Sequence, residues 1–168
     1  SRIANLADQL LDLQRIDHQV SRQEPFDLVA LCNQVTADLA PLAFAAGYEP
    51  AFISERAELF IRGDPSSIER AIINLFQNAI VHGGGKGTIE VAVQADWAVT
   101  VSDDGQGISE DRREWVFEPF HRIKPLDYGS GLGLSLVREI MRRHGGTASV
   151  TSSRSGGARF MLQFAPPV

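Results

Sequence analysis

The sequence predicts an α/β (α+β) two-layer sandwich: a mixed, mostly antiparallel sheet covered by helices on one face, preceded by part of a dimerisation helix. Three observations lead there. At 168 residues and 43% hydrophobic composition, the chain can bury the core of one ordinary domain. Its strand-like segments alternate apolar and polar residues and are joined mostly by short turns, as antiparallel neighbours are. Its helical segments carry their apolar residues on one stripe, so each needs a partner surface to cover it.

Taken in order, residues 1–20 place Ile3, Leu6, Leu10, Leu13 and Val20 along one helical seam that Asp17 interrupts. A plain amphipathic helix is the simpler alternative, but the polar break Ser21-Arg22-Gln23-Glu24-Pro25 favours a helix cut from a longer dimeric bundle. We therefore divide the chain into residues 1–23 and a main domain over 24–168. Leu28, Leu31, Cys32, Val35, Leu39 and Leu42 predict a helix, bent at Pro41 and ended near Gly47. A short strand follows over Glu58 to Arg62. Asp64-Pro65 then starts a helix, with Asp64 able to accept from free backbone amides and Pro65 already at a helical φ, and Gly83-Gly84-Gly85 stops it after His82. Thr88 to Gln94 and Trp97 to Ser102 alternate as two strands of a hairpin turning at Ala95-Asp96. A polar helical turn begins at Ser109. A last helix runs from near Gly131 to Gly145-Gly146, and strands over Thr147 to Thr151 and Arg159 to Phe164 close the domain.

The net charge of −5 gives no grip on nucleic acid, and no run of about 18 apolar residues marks a membrane span. Any membrane anchor is expected outside this chain. The one cysteine, Cys32, falls in an apolar helical pattern, fits inert packing, and suits a reducing, cytoplasmic setting.

Chemistry concentrates in three places. Neither Gly83 to Thr88 nor Gly129 to Gly133 fits the spacing of a P-loop or of a dinucleotide fingerprint. Asn74 and Asn78, four apart, share a helix face while Ile72, Leu75 and Ala79 face the core; an amide oxygen suits Mg²⁺, though two asparagines on a helix, taken alone, more often belong to solvated surface. Asp104, directly after a strand and followed by Gly105 and Gly107, can accept from an exocyclic amine and so select adenine over guanine; a surface Asp-Gly turn is the alternative, and Asp103 reads as a solvated neighbour. Gly131 to Leu134 puts glycine backbone at a helix N-terminus, where unpaired amides suit a polyphosphate or the glycines serve only a tight loop.

In this order the elements resemble the N, G1, F and G2 boxes of the histidine-kinase branch of the GHKL ATPases: Asn74-Leu75-Phe76-Gln77-Asn78-Ala79, Asp104-Gly105-Gln106-Gly107-Ile108, Phe117-Glu118-Pro119-Phe120, and Gly129-Ser130-Gly131-Leu132-Gly133-Leu134. Coverage runs from about Glu24 to Pro166, and Leu10-Leu11-Asp12-Leu13 resembles the end of that family's dimerisation helix pair. The resemblance implies ATP and Mg²⁺ as cofactors. Asn78 would bind the metal, Asp104 the adenine amine, Gly105 and Gly107 would shape the base pocket, and Gly131 and Gly133 would approach the phosphates. Asn74 and His82 would line the cavity, with Ile108, Phe120, Leu132 and Leu134 beside them in the nucleotide site. Arg122 would face phosphate from an ATP lid between Phe120 and Gly129.

Also implied are transfer of the ATP γ-phosphoryl to a histidine outside this stretch, then to an aspartate in a response regulator receiver domain, and a homodimer through the N-terminal helix. The setting would be the cytoplasmic side of an inner-membrane-anchored bacterial protein. This stretch alone is not expected to phosphorylate itself, since none of its four histidines sits in the acceptor motif. His18 and His144 read as surface or capping residues, the latter as an imidazolium favouring a helix dipole. Two departures stand out: Val81 replaces a common cation, and the lid over His121 to Tyr128 is short and holds Pro125. They leave room for a nucleotide-binding docking module without kinase activity; a related GHKL ATPase or serine kinase is the other alternative, and the helix over residues 1–20 and the Phe117 to Phe120 box argue against it.

Overall fold

The computed structural model describes residues 23–119 and 133–166. The expected helix over residues 1–20, and Phe120, Arg122, Gly131 and Leu132 of the expected site, lie outside the described residues. Strand β1 (Glu24–Asp27) leads into helix α1 (Leu28–Ala45), followed by β2 (Glu49–Ser54) and β3 (Phe60–Gly63). Helix α2 spans Pro65–His82, β4 Thr88–Gln94 and β5 Ala98–Ser102. Two 3₁₀ turns, Glu110–Arg112 and Trp115–Phe117, precede helix α3 (Gly133–Arg143), and β6 (Thr147–Ser152) and β7 (Ala158–Gln163) complete the chain.

The main sheet has the order β2-β4-β5-β7-β6, with β2 parallel to β4 and the other three pairings antiparallel. β1 and β3 form a separate antiparallel pair, Glu24 opposite Gly63 and Asp27 opposite Phe60. The mixed, mostly antiparallel sheet under a helical layer is the architecture the sequence predicts. Two strands were not foreseen, β1 and β2. Each carries a proline, and β2 is tolerated with Pro50 because it is an edge strand, where a missing N–H leaves no ladder bond unmade.

Strand parity decides what meets the helices, because alternate side chains share a face. Ile89, Val91 and Val93 of β4, Val99 and Val101 of β5, and Phe160 and Leu162 of β7 point into the core. There they meet Ile68, Ile72, Leu75 and Phe76 of α2 and Leu136, Val137, Ile140 and Met141 of α3. Each such side chain contributes roughly 1.5–3 kcal/mol on burial. α1 is long and apolar enough by length and composition to cross a membrane, yet Leu28, Val29, Cys32 and Val35 are buried in this same core.

Caps set the element boundaries. Asp27 Oδ1 accepts from the Val29 amide that opens α1 (3.0 Å) and from the Leu59 amide across the chain (2.9 Å). Pro41 sits within α1 without ending it, and Gly47, at φ 96°, closes the helix as the Tyr48 amide reaches back to the Ala43 carbonyl (3.0 Å). Asp64 caps α2, accepting from the Ser66 amide (3.1 Å) and the Ser67 hydroxyl (3.0 Å), with Pro65 next to it as expected. The β4–β5 connection is one residue longer than expected. Gln94 pairs with Ala98, and Trp97 takes φ 61°, the left-handed residue of a three-residue hairpin loop.

Candidate functional site

Helix α2 supplies one wall. Ile72, Leu75 and Ala79 are buried in the core, and Asn74 and Asn78 are half-buried on another part of the helix surface. Among the described residues the Asn74 side-chain nitrogen is buried without a hydrogen-bond partner. Such a group costs about 1–3 kcal/mol unless something accepts from it, so it marks a position that a ligand would relieve.

The end of α2 is held by Tyr48, buried beneath it. Its hydroxyl donates to the Ile80 carbonyl and accepts from the Gly85 amide, both at 2.8 Å. The loop 83–87 rises from there with Gly84, Gly85 and Gly87 at positive φ. It packs on the loop after β5: a Cβ at Gly105 would stand 2.7 Å from the His82 carbonyl oxygen and 3.0 Å from Gly83 Cα. A third loop, between β6 and β7, closes from the other side, where side chains at Gly107 or Gly157 would run into the Gly156 and Asp103 carbonyl oxygens. Backbone thus meets backbone along both flanks of residues 103–107.

The two adjacent aspartates in this stack differ sharply. Asp103 is not a solvated neighbour. It is 3% exposed, and its amide extends the β5–β7 ladder to the Ala158 carbonyl (2.9 Å). Following Val99 and Val101, it falls by parity on the helix-covered side of the sheet. Its Oδ1 accepts from the Gly105 amide (2.9 Å) and the Ala158 amide (3.2 Å); among the described residues both bonds fall on this oxygen, leaving Oδ2 able to accept. Asp104 lies at the surface. Its Oδ2 accepts from the Thr88 amide (2.8 Å) and its Oδ1 from the Ser155 hydroxyl (2.7 Å). The Ser155 hydroxyl first, and the Thr88 amide second, hold its carboxyl below the usual carboxylate range. The signal for Asp103 was present in the strand alternation, outweighed by the familiarity of Asp-Gly as a turn pair.

His144 also departs from expectation. Its Nε2 accepts from the Asp64 amide (3.0 Å), and its Nδ1 lies 2.7 Å from the Ile140 carbonyl. A backbone N–H can only donate and a carbonyl can only accept, so these partners assign a neutral ring protonated on Nδ1. The imidazolium expected from the helix dipole does not fit that geometry. The bond ties the end of α3 to the start of α2, and the two helices pack against each other. Eleven residues of α3 rise about 16 Å, and its first turn carries Gly133 and Leu134. Ile108 is buried in the core just beyond Gly107, and Phe117 sets its ring edge-on to Phe160 at 6.0 Å. Cys32 is fully buried; burial, with the charge of Asp27 adding, pushes its thiol far above the ordinary range, in keeping with inert packing.

Comparison with known proteins adds the following. Residues 63–168 match the family model described as histidine kinase-, DNA gyrase B- and HSP90-like ATPase. The chain is 36% identical over 172 residues to the sensor protein IrlS of Burkholderia pseudomallei, an alignment covering 97% of this chain and 36% of that protein. It is 42% identical over 110 residues to the sensor-type histidine kinase PrrB of Mycobacterium leprae, covering 64% of this chain and 25% of PrrB. In three dimensions it resembles the catalytic domain of the histidine kinase ThkA, with a TM-score of 0.77 and 28% identity, over 85% of this chain and 95% of that one. The chain therefore spans about a third or less of the length of the curated relatives it matches.

Proposed function

Because the chain belongs to the histidine kinase-, DNA gyrase B- and HSP90-like ATPase family, we propose that it is the ATP-binding catalytic domain of a two-component sensor histidine kinase. The observation that carries this reading is the Asp103 carboxylate, buried, fixed through Oδ1 by two backbone amides and holding Oδ2 in reserve. We assign the adenine amine to this oxygen rather than to Asp104, whose two oxygens already serve Thr88 and Ser155. Guanine carries an acceptor at the corresponding position and would be repelled.

Asn74, with its unsatisfied side-chain nitrogen, and His82 would line the same cavity; Gly105 and Gly107 would shape the base pocket, and Gly131 and Gly133 would approach the phosphates. Among the described residues no group of three or more His, Cys, Asp or Glu could hold a metal ion, so Mg²⁺ would share Asn78 with phosphate and water. When bound, Mg²⁺ neutralises phosphate charge during transfer, and the protein's part is to position the nucleotide. The γ-phosphoryl would pass to a histidine outside this stretch and on to a response-regulator aspartate. Residues 1–23 would belong to the dimerising helix pair and residues 24–168 to the catalytic domain, on the cytoplasmic side of an inner-membrane-anchored bacterial protein.

Calorimetry of ATP and GTP, with and without Mg²⁺, tests the site: ATP binds, GTP binds poorly, and Asp103→Asn removes the preference. Comparable GTP binding by the unmodified chain sinks the assignment. Labelled ATP tests the reaction. The 168-residue chain should bind without labelling itself, whereas a longer protein with the upstream helix pair should take up acid-labile, alkali-stable phosphate. Val81, 50% exposed near the end of α2 where many relatives carry a cation, favours one second reading, a docking module that binds nucleotide without transfer. Absence of label in the longer protein despite ATP binding would select it.

A further inference from the structure

Asp104, left without a ligand by this reading, is the point at which three loops meet. Its carboxylate bridges the Thr88 amide, at the start of β4, and the Ser155 hydroxyl, in the turn between β6 and β7. Both approaches are cleared by glycine: a Cβ at Gly87 would stand 2.5 Å from Asp104 Oδ2, and one at Gly107 would strike the Gly156 carbonyl oxygen. The serine side of the bridge continues inward. Ser155 Oγ lies 3.2 Å from Ser153 Oγ, which donates to the Asp103 carbonyl oxygen at 2.8 Å. With the Ser155 proton on Asp104 and the Ser153 proton on the Asp103 carbonyl oxygen, the two serine oxygens meet as a close contact with no proton between them, and each aspartate is held by its own serine.

We propose that Asp104 is a positioning residue for the nucleotide site: it staples the glycine loop 83–87 and the β6–β7 turn onto residues 103–107, and so fixes the Asp103 carboxylate that reads the base. The inference rests on the assignment of the base to Asp103. It also differs from a reading role in its chemistry. The Thr88 amide can only donate, while a serine hydroxyl can donate or accept. An asparagine at 104 can therefore keep both bridges, its Oδ1 accepting from Thr88 and its Nδ2 donating to a reversed Ser155 hydroxyl. Ser155 would then pass its own proton toward Ser153, whose proton already points to Asp103. Alanine at 104 loses both bridges.

The test measures ATP and GTP affinity by calorimetry on the 168-residue chain carrying Asp104→Ala, Asp104→Asn, Ser155→Ala or Asp103→Asn, each checked for folding by its melting curve. Asp104→Ala should weaken ATP binding by roughly 3- to 10-fold, up to the scale of one net hydrogen bond, with the preference over GTP intact. Asp104→Asn should recover most of that loss. Ser155→Ala should cost less, and its effect should shrink when Asp104 is already alanine, as expected for partners in one bridge. Should Asp104→Ala fail to fold, the milder Ser155→Ala and the Asp104→Asn rescue still decide the matter. Wild-type affinity in Asp104→Ala, no recovery in Asp104→Asn, or loss of the adenine preference in either overturns the proposal. Failure of the base assignment shows separately, as an Asp103→Asn variant that still prefers ATP.

Discussion

Gly157→Ala should damage stability and nucleotide binding together. Gly157 is buried in the β6–β7 turn, and an added Cβ would press on the Asp103 carbonyl oxygen, approach its carbonyl carbon to 2.7 Å and its Oδ1 to 2.8 Å. Two of these are backbone atoms and Oδ1 is pinned by the Gly105 and Ala158 amides, so backbone must yield by about 1.4 Å to restore contact distances near 3.5 Å. Overpacking of this kind costs about 1–3 kcal/mol. The same displacement strains the bonds from the Asp103 amide to the Ala158 carbonyl, from the Ala158 amide to Asp103 Oδ1 and from the Ser153 hydroxyl to the Asp103 carbonyl oxygen. Losing one or two of them adds about 0.5–1.5 kcal/mol each. The sum is roughly 1.5–6 kcal/mol, against a total on the order of 5–15 kcal/mol for a typical domain, and a melting temperature lower by roughly 3–24 °C. Urea denaturation followed by circular dichroism gives the first number. Calorimetry with ATP, at a temperature where the variant is folded, should show affinity reduced by about tenfold or more. An unchanged urea midpoint would refute the close packing, and a destabilised variant with full ATP affinity would refute Asp103 as the base-reading acid.

Other perturbations separate the remaining roles. His144→Leu leaves the Asp64 amide without its acceptor and should cost about 1–3 kcal/mol in urea denaturation; a neutral result would discredit the assigned tautomer. For Asp104, whose folded pKa is depressed by the Ser155 hydroxyl and the Thr88 amide, the linked stability is present above the unfolded value of about 4 and disappears as pH falls through the lower folded value. The effect is small because the carboxylate is largely exposed, and Ser155→Ala should flatten that acid limb in a pH series of urea midpoints. A limb as steep in Ser155→Ala as in the parent chain would count against the bridge. Asn78→Ala should weaken Mg²⁺-dependent ATP binding more than metal-free binding, and equal losses would remove Asn78 from the metal shell.

Much of the fold was legible because its signals are local. Asp64-Pro65 and Gly83 mark the ends of α2 through capping chemistry that needs no distant partner, and β4 and β5 announce themselves by alternation. β2 was not legible: its pairing is with β4, more than thirty residues on, and Pro50 argues against a strand until the edge position is known. Of the candidate site, the residues on α2 and the glycine loops were proposed from spacing, while the contrast between a buried Asp103 and an exposed Asp104 turned on strand parity. His144 was misjudged for a different reason. Its acceptor role depends on an amide 80 residues away, and a dipole argument that suits an exposed imidazole has no access to that partner.

The Asp64–His144 bond has a mechanical consequence. It fastens α3 to α2 at the end farthest from the first turn of α3, so the position of that turn depends on the angle at which the helix leaves this point. A tilt of about 5° about that point carries the opposite end of a roughly 16 Å helix through about 1.4 Å, comparable to the difference between a made and a broken hydrogen bond. Gly63 is part of the bearing: a Cβ there would stand 2.7 Å from the His144 ring, so the absence of a side chain is what lets the imidazole seat. A rotation at that edge of the domain would displace the backbone amides at the other end of the helix.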